Sequence, residues 1–416
     1  MKIELGFGKT KQSVDVPDKA LLGIIETNDA AGEFDEAEIL KNALENPIGC
    51  EKLRDIVHPG EKISIVTSDI TRPCPSARIL PPVLGELKKA GIPDEDICIT
   101  FALGSHRRQT EEEMIGLVGK DIYERYECRD SDINDVVHIG TTKHGTPVDI
   151  DRRVAEADRR ICLGNIEYHY FAGYSGGAKA IMPGVSTPAA IQANHSMMIE
   201  DDACAAKLDG NPLREDIEEA VAMFGVDHIL NVVLDAHKKI VCAVAGDVVK
   251  AHRAGCRFLD TLNMKEIPQK ADIVIASQGG APKDINLYQT QKALDNAAKA
   301  VRDGGIIILA GACSEGFGNP TFEKWLMEAP SAESIVERIH KSFKLGGHKA
   351  AAIALVLKRA DIYLVSDMDP RIVRKCFMEP FSTVADAYAA ATEKLGKDAS
   401  VWIMPHGGST LPLAKG

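Results

Sequence analysis

No two cysteines in this 416-residue chain are spaced as a C-x-x-C pair. The ten cysteines, at positions 50, 74, 98, 128, 162, 204, 242, 256, 313 and 376, stand singly, and several fall inside apolar strand patterns. That argues against a zinc cluster or a disulfide framework and for buried, reduced thiols. No apolar run approaches the ~18–20 residues needed to cross a bilayer. The longest candidates, Ile306–Ala310 and Ala350–Leu357, have the size of a strand or a helix. Charges stand among residues 1–9 where a signal peptide needs its apolar region, so a cytoplasmic protein is expected. Positive charge is also short. The net charge of −12 argues against general binding to nucleic acid or to an anionic membrane, and an anionic ligand must be met by local arginines and lysines. Two nucleotide signatures are missing as well: no strand runs into G-x-G-x-x-G, and Ser175-Gly176-Gly177-Ala178-Lys179-Ala180 lacks the spacing and hydroxyl of a P-loop.

What is present is an alternation of short apolar runs with helical patterns. The start, Lys2–Leu5 and Gln12–Val16 about a glycine-rich turn, reads as a hairpin. Strands come next at Lys62–Val66, Asp96–Ala102, Arg160–Leu163, His228–Asp235 and Ile240–Gly246, with helices at Ser76–Ala90, Glu111–Leu117 and Asp247–Leu262. From near Ala271 a second series begins: strands Asp272–Ala276, Gly305–Ala310, Asp361–Val365 and Ser400–Met404, joined by helices Leu287–Arg302, Ala332–Lys341, Pro370–Phe377 and Thr383–Leu395. The pattern predicts two α/β domains with largely parallel sheets. The break is expected in Lys265–Lys270, giving residues 1–266 and a Rossmann-like unit over 267–416.

Ligands of open α/β sheets sit beyond the carboxyl ends of the strands, so the residues just past each strand are functional candidates. They are Thr67–Pro73, Leu103–Arg108, the segment from Gly164 that holds His169 and Lys179, and Ser277–Gly280 with Tyr288–Lys292 beyond it. Four such clusters suggest an active site between the domains. Of the twelve histidines, His58, His138, His144, His228, His237, His252, His340 and His348 read as solvated or capping residues. His106 and His169 differ, because each comes after a strand end with glycine or aromatic neighbours; two histidines can act as acid on one face of a substrate and base on the other.

The densest segment is Gly164–Gly184, with five glycines, His169 and Lys179. Such a loop lets backbone approach a ligand closely. Lys179 is open to two readings: an ordinary phosphate-binding lysine, or an activated amine that links covalently to a cofactor. His195 lies on a helix begun by Thr187 as N-cap and Pro188 at the first turn. No second histidine stands four residues away, so any metal there needs ligands from outside the protein.

Taken together, Asp69-Ile70-Thr71-Arg72-Pro73, Gly104-Ser105-His106-Arg107, His169 with Lys179 ten residues on, His195 sixteen further, and Tyr288-Gln289 with Lys292 resemble the nickel-pincer lactate racemase family. The resemblance covers both domains and is strongest from Thr67 to Met198. It implies a racemase or epimerase of 2-hydroxy acids that moves hydride reversibly between substrate C2 and a nickel pincer nucleotide, pyridinium-3,5-bisthiocarboxylic acid mononucleotide, held covalently by Lys179. By the same resemblance His195 is the protein's nickel ligand, and an organic pincer plus one imidazole completes a square-planar site. Ser175, Gly176 and Gly177 would hold the nucleotide phosphate through backbone N–H groups at a helix start, and Asp69 would contact the ribose. His106 and His169 would be the general acid and base. Arg72 and Lys292 would hold the substrate carboxylate, Gln289 would bond to it, and Tyr288 would shape the pocket. Cofactor-synthesis proteins are the implied maturation partners.

One element of the family pattern has no counterpart here. The pocket aromatic from the second domain cannot be placed, since Ala350–Leu357 is aliphatic; Tyr363, Phe377 and Phe381 are candidates. This opens the substrate to other 2-hydroxy acids. Arg371, Arg374 and Lys349 are read as solvated, although they could meet a second carboxylate. The competing readings are a dehydrogenase or phosphate-binding enzyme using a free nucleotide, and a non-catalytic binding protein of the same fold.

Overall fold

The computed structural model describes residues 1–26, 28, 35–235 and 237–414. The chain forms two compact units, Asp29–Asp260 and a second built from Met1–Asn28 together with Thr261–Gly416. The boundary expected at 266 therefore needs a partner near 28: the N-terminal segment belongs to the C-terminal unit.

In the unit Asp29–Asp260 a six-stranded sheet runs in the order Ile240–Gly246, His228–Leu234, Arg159–Asn165, Ile63–Ser68, Ile97–Ala102, Glu127–Asp130. All neighbours are parallel except the first pair. Central strands such as Ile63–Ser68 are buried along nearly their whole length, because a parallel sheet carries cover on both faces and needs apolar residues on each. Ile65, Ile99, Leu163 and Leu230 from four adjacent strands join Ile79, Leu80, Val83 and Leu87 of the helix Ser76–Lys89 in one core. The three central strands thus deliver the segments beyond Ser68, Ala102 and Asn165 to a single edge of the sheet.

The other unit has its own all-parallel sheet, ordered Glu379–Phe381, Asp361–Val365, Val301–Ala310, Ala271–Ser277, Val401–Met404, Leu21–Ile24. The expected N-terminal hairpin forms from Lys2–Phe7 and Thr10–Asp15. Its Ile3, Leu5 and Phe7 pack into this unit's core with Ile275, Ile308 and Ile403, and Gly6 lies against the backbone of Gly279 so closely that a Cβ would fall 2.6 Å from it. Among the described residues no helix is long and apolar enough to cross a membrane. All ten cysteines are free thiols.

Two histidines read from sequence as solvated are fully inside. His228 is 0% exposed, with neither ring nitrogen hydrogen-bonded, and His252 is 1% exposed. Burial pushes His228 down to about 4. Burial, then the Arg214 charge, pushes His252 down to about 3. An unfolded chain takes up these protons near the ordinary value of about 6.5, whereas the folded chain refuses them until lower pH. The unfolded state thus holds more protons in that window, and stability falls as pH falls. At pH 5, linkage of about 1.4 kcal/mol per unit makes each ring worth about 2 kcal/mol of lost stability. Urea unfolding tracked from pH 7 to pH 5 should show this decline, and His228→Leu should flatten its slope by the equivalent of one proton.

Candidate active site

The loop after Ile63–Ser68 presents Asp69, and the loop after Ile97–Ala102 presents His106. The two meet. His106 Nδ1 lies 2.5 Å from Asp69 Oδ2 and 3.2 Å from the Thr71 hydroxyl, while Asp69 Oδ1 accepts from Thr71 N (3.0 Å) and Thr71 Oγ1 (2.6 Å). Burial opposes ionisation of this carboxyl, but the hydrogen bonds from His106 and Thr71, with the charges of His106 and Arg72, hold it below the usual carboxylate range. An ionised Asp69 can only accept, so Nδ1 of His106 carries a proton and the neutral ring keeps its lone pair on Nε2. Asp69 is 1% exposed with both oxygens committed inside the protein. The contacts of Asp69 within the protein thus hold the ring of His106 in place.

The second group gathers about one ring. Phe171, 3% exposed, has its centroid 4.5 Å from that of His169, 5.0 Å from that of His195 and 6.0 Å from Lys179 Nζ. Residues ten and sixteen apart in sequence thus become neighbours. His169 sits on a two-residue hairpin, Tyr168–His169 paired with Gly173–Tyr174. The hairpin is fixed by the Tyr168 and Tyr174 hydroxyls, both 2.9 Å from Asp260, and by buried Arg214, which donates to the carbonyls of Ala172 and Tyr174. The Ala172 N–H donates to His169 Nδ1 at 3.3 Å. Burial, then the charges of Lys179, Arg72, His195 and Arg214, drive the His169 pKa well below its ordinary value. Burial, then Arg214 and Arg72, likewise lowers that of Lys179. A lysine amine that loses its proton readily is a nucleophile. Arg72 bears on both groups, since its charge acts on Asp69, His169 and Lys179.

The glycine loop departs from expectation. Ser175 N–H donates to Glu167 O at 2.8 Å, and Gly177 N–H donates to Asn231 Oδ1 at 2.6 Å. Two of the three N–H groups expected to face a phosphate are thus used to hold the loop itself, leaving Gly176. The loop then runs into a single 3-10 turn, Gly177–Ala180, in place of a full helix start. His252 braces the loop from beneath: its Nε2 lies 2.8 Å from Ser175 O, and a Cβ on Gly177 (φ +57°) would fall 2.6 Å from its ring. Glycine is required at 177 by that imidazole. Nothing in the sequence near His252 or Arg214 signals these roles, because both act across long chain separations.

In the other unit, Tyr288, Gln289 and Lys292 share the helix Leu287–Ala300, capped by Asn286. The Tyr288 ring meets Phe322 edge-on at 5.6 Å and lies 5.2 Å from Lys349 Nζ. Lys349, read from sequence as solvated, is 5% exposed and donates to Gln291 Oε1 at 2.7 Å. Arg371 and Arg374 are exposed, paired with Asp369 and Glu379. Of the aromatic candidates, Tyr363 and Phe381 meet at a tilt with centroids 5.0 Å apart; the rings beside Tyr288 are Phe322 and His348.

The match to known proteins is extensive. Residues 7–206 fit the model of the lactate racemase N-terminal domain, and residues 267–411 that of the lactate racemase C-terminal domain. The lactate racemase of Thermoanaerobacterium thermosaccharolyticum is 35% identical over 432 residues, covering 99% of each chain. The chain belongs to the lactate racemase family. The lactate racemase of Lactiplantibacillus plantarum is 32% identical, covering 97% of this chain and 98% of its own. The solved lactate racemase apoprotein of the Thermoanaerobacterium species superposes with a TM-score of 0.90 at 34% identity, over 99% of this chain and 100% of that one. A Thermotoga maritima protein shares the fold at a TM-score of 0.66 and 19% identity, over 92% and 99% of the two chains. As a member of the lactate racemase family this chain is an isomerase. Asp69, His106, His169, Lys179 and His195 all fall within the part matching the N-terminal domain of that family, and Tyr288, Gln289 and Lys292 within the part matching the C-terminal domain.

Proposed function

We propose that the chain racemises lactate or a closely related 2-hydroxy acid, with a nickel pincer nucleotide tethered to Lys179. The observation that carries this reading is the gathering of His169, Lys179 and His195 around Phe171. The donor set fits such a group. Among the described residues no cluster of three or more His, Cys, Asp or Glu could hold a metal, while one imidazole, His195, and an amine depressed toward its neutral form, Lys179, both lie against the Phe171 ring. When bound, the nucleotide supplies a reversible acceptor for hydride from substrate C2.

The remaining chemistry belongs to side chains. His106, with its lone pair on Nε2, is suited to take the proton of the substrate hydroxyl, and Asp69 then stabilises the imidazolium. His169, held toward its neutral form by burial and then by the charges of Lys179, Arg72, His195 and Arg214, is suited to take the hydroxyl proton of the opposite enantiomer. Each histidine is thus the base for one enantiomer and, once protonated, the acid that returns the proton in the reverse direction. Arg72 offers its guanidinium to the carboxylate, and we assign Lys292 and Gln289 to the same group, with Tyr288 shaping the pocket. Gly176 is the candidate of the glycine loop for the nucleotide phosphate. A cytoplasmic setting, supported by ten cysteines held as thiols, and maturation by cofactor-synthesis proteins complete the proposal.

The test uses protein produced together with those synthesis proteins. Incubated with L-lactate alone, it should generate the D form until the two are equal, as read by chiral chromatography. A panel of other chiral 2-hydroxy acids ranks the substrates. Protein shown by mass to carry the adduct, yet inert toward the whole panel, would refute the assignment.

A further inference from the structure

The helix Pro188–Ser196 places Asn194 beside His195, and Asn194 is 0% exposed. Its Nδ2 lies 3.1 Å from the Leu213 carbonyl oxygen and 2.7 Å from Asp216 Oδ2. A backbone carbonyl can only accept, so the amide has a single orientation: the NH2 end faces Leu213 and Asp216, and the carbonyl end faces His195. His195 Nδ1 lies 3.0 Å from that Asn194 Oδ1. Since Oδ1 can only accept, Nδ1 must carry the proton, and in the neutral ring the lone pair is on Nε2.

The anchor behind Asn194 is itself unusual. Asp216 is 0% exposed, and the bonds to its carboxylate come from Asn194 and from the hydroxyls of Thr142 and Thr146, the latter at 2.8 Å. A buried carboxylate is tolerated only when its oxygens are so satisfied. The outcome is a relay running from Asp216 through Asn194 to the ring of His195.

We infer that Asn194, locked by Asp216 and Leu213, is a positioning residue that fixes the tautomer of His195 so that Nε2 is presented as a metal donor. This rests on the reading of His195 as the nickel ligand. Ring N–H groups of metal-binding histidines are usually held by such outer partners, and their loss typically weakens metal binding by ~10–100-fold.

The tautomer can be read without any metal. Full-length protein labelled with 15N-histidine, at about pH 8 where an ordinary histidine of pKa about 6.5 is neutral, should show His195 protonated at Nδ1, its signals assigned by their absence in His195→Gln. Asn194→Ala should lose that preference and, after maturation, should release nickel to a chelator at ~10–100-fold lower concentration than the parent. An Nε2–H tautomer in the parent overturns the inference, and so does an Nδ1–H tautomer that persists unchanged in Asn194→Ala. The parent measurement does not need Asn194→Ala and decides the matter if that variant does not fold. An Nδ1–H parent whose matured form carries the Lys179 adduct but no nickel would overturn the metal role through failure of the underlying reading, which separates the two.

Discussion

Replacing Lys179 by alanine should abolish the covalent adduct and the racemase activity together. In protein matured with the synthesis proteins, intact mass should show the modified parent beside an unmodified variant, and nickel should fall from about one per chain, as a square-planar site holds, to background. Lys179→Arg should behave as the alanine does, because a guanidinium stays protonated and is no nucleophile at neutral pH. The nucleophilic amine, and not the charge, is thereby tested. The half-exposed Lys207 on the ion pair with Asp202 is the control, and Lys207→Ala should retain the adduct in full. An adduct persisting in Lys179→Ala would end the proposed tether.

The next largest effect should come from the carboxylate–imidazole pair. His106→Ala removes a general acid–base, a loss of ~10²–10⁴ in kcat, while the adduct on Lys179 remains. Asp69→Asn should approach the same loss, since an amide can offer its NH2 to Nδ1 and trap the proton on Nε2, the wrong tautomer for a base. The double variant is the sharper measurement: residues that act as one unit do not add, so Asp69→Asn should lower kcat little further once His106 is alanine. Additive losses, or full activity in Asp69→Asn alone, would show that the 2.5 Å contact does not orient the base.

The sheets were legible because parallel strands buried on both faces leave near-continuous apolar runs, and the ends of Ile63–Ser68, Ile97–Ala102 and Arg159–Asn165 could be found by position alone. The allegiance of Lys2–Phe7 and Leu21–Ile24 was not. Their partners lie more than 250 residues away, and a strand's pattern states which face is apolar, never which sheet receives it. The same limit explains the site. Spacing singled out His169, Lys179 and His195, but Phe171, which gathers them, looked like one more aromatic. Asp69 was read as a ribose contact from the family resemblance, and its bond to His106, across 37 positions, leaves no mark in the spacing. His252 and Arg214 support the loop from elements with no local mark of it. Pairings between distant polar groups depend on three-dimensional register, and no periodicity records it.

The interruption of one unit by the other has a consequence for the order in which the protein is made. Residues 29–260 are continuous and can fold while the ribosome is still at work. The strand Leu21–Ile24 emerges first, yet it must wait for Val401–Met404, a delay of about 20–75 s at ~5–20 residues per second. For the last part of that interval, from the completion of residue 260 to that of Val401, about 7–28 s at the same rate, Lys179 stands on a continuous unit whose chain is complete while the rest is still being synthesised. The proposed modification of this lysine then has a window in which to occur on the nascent polypeptide.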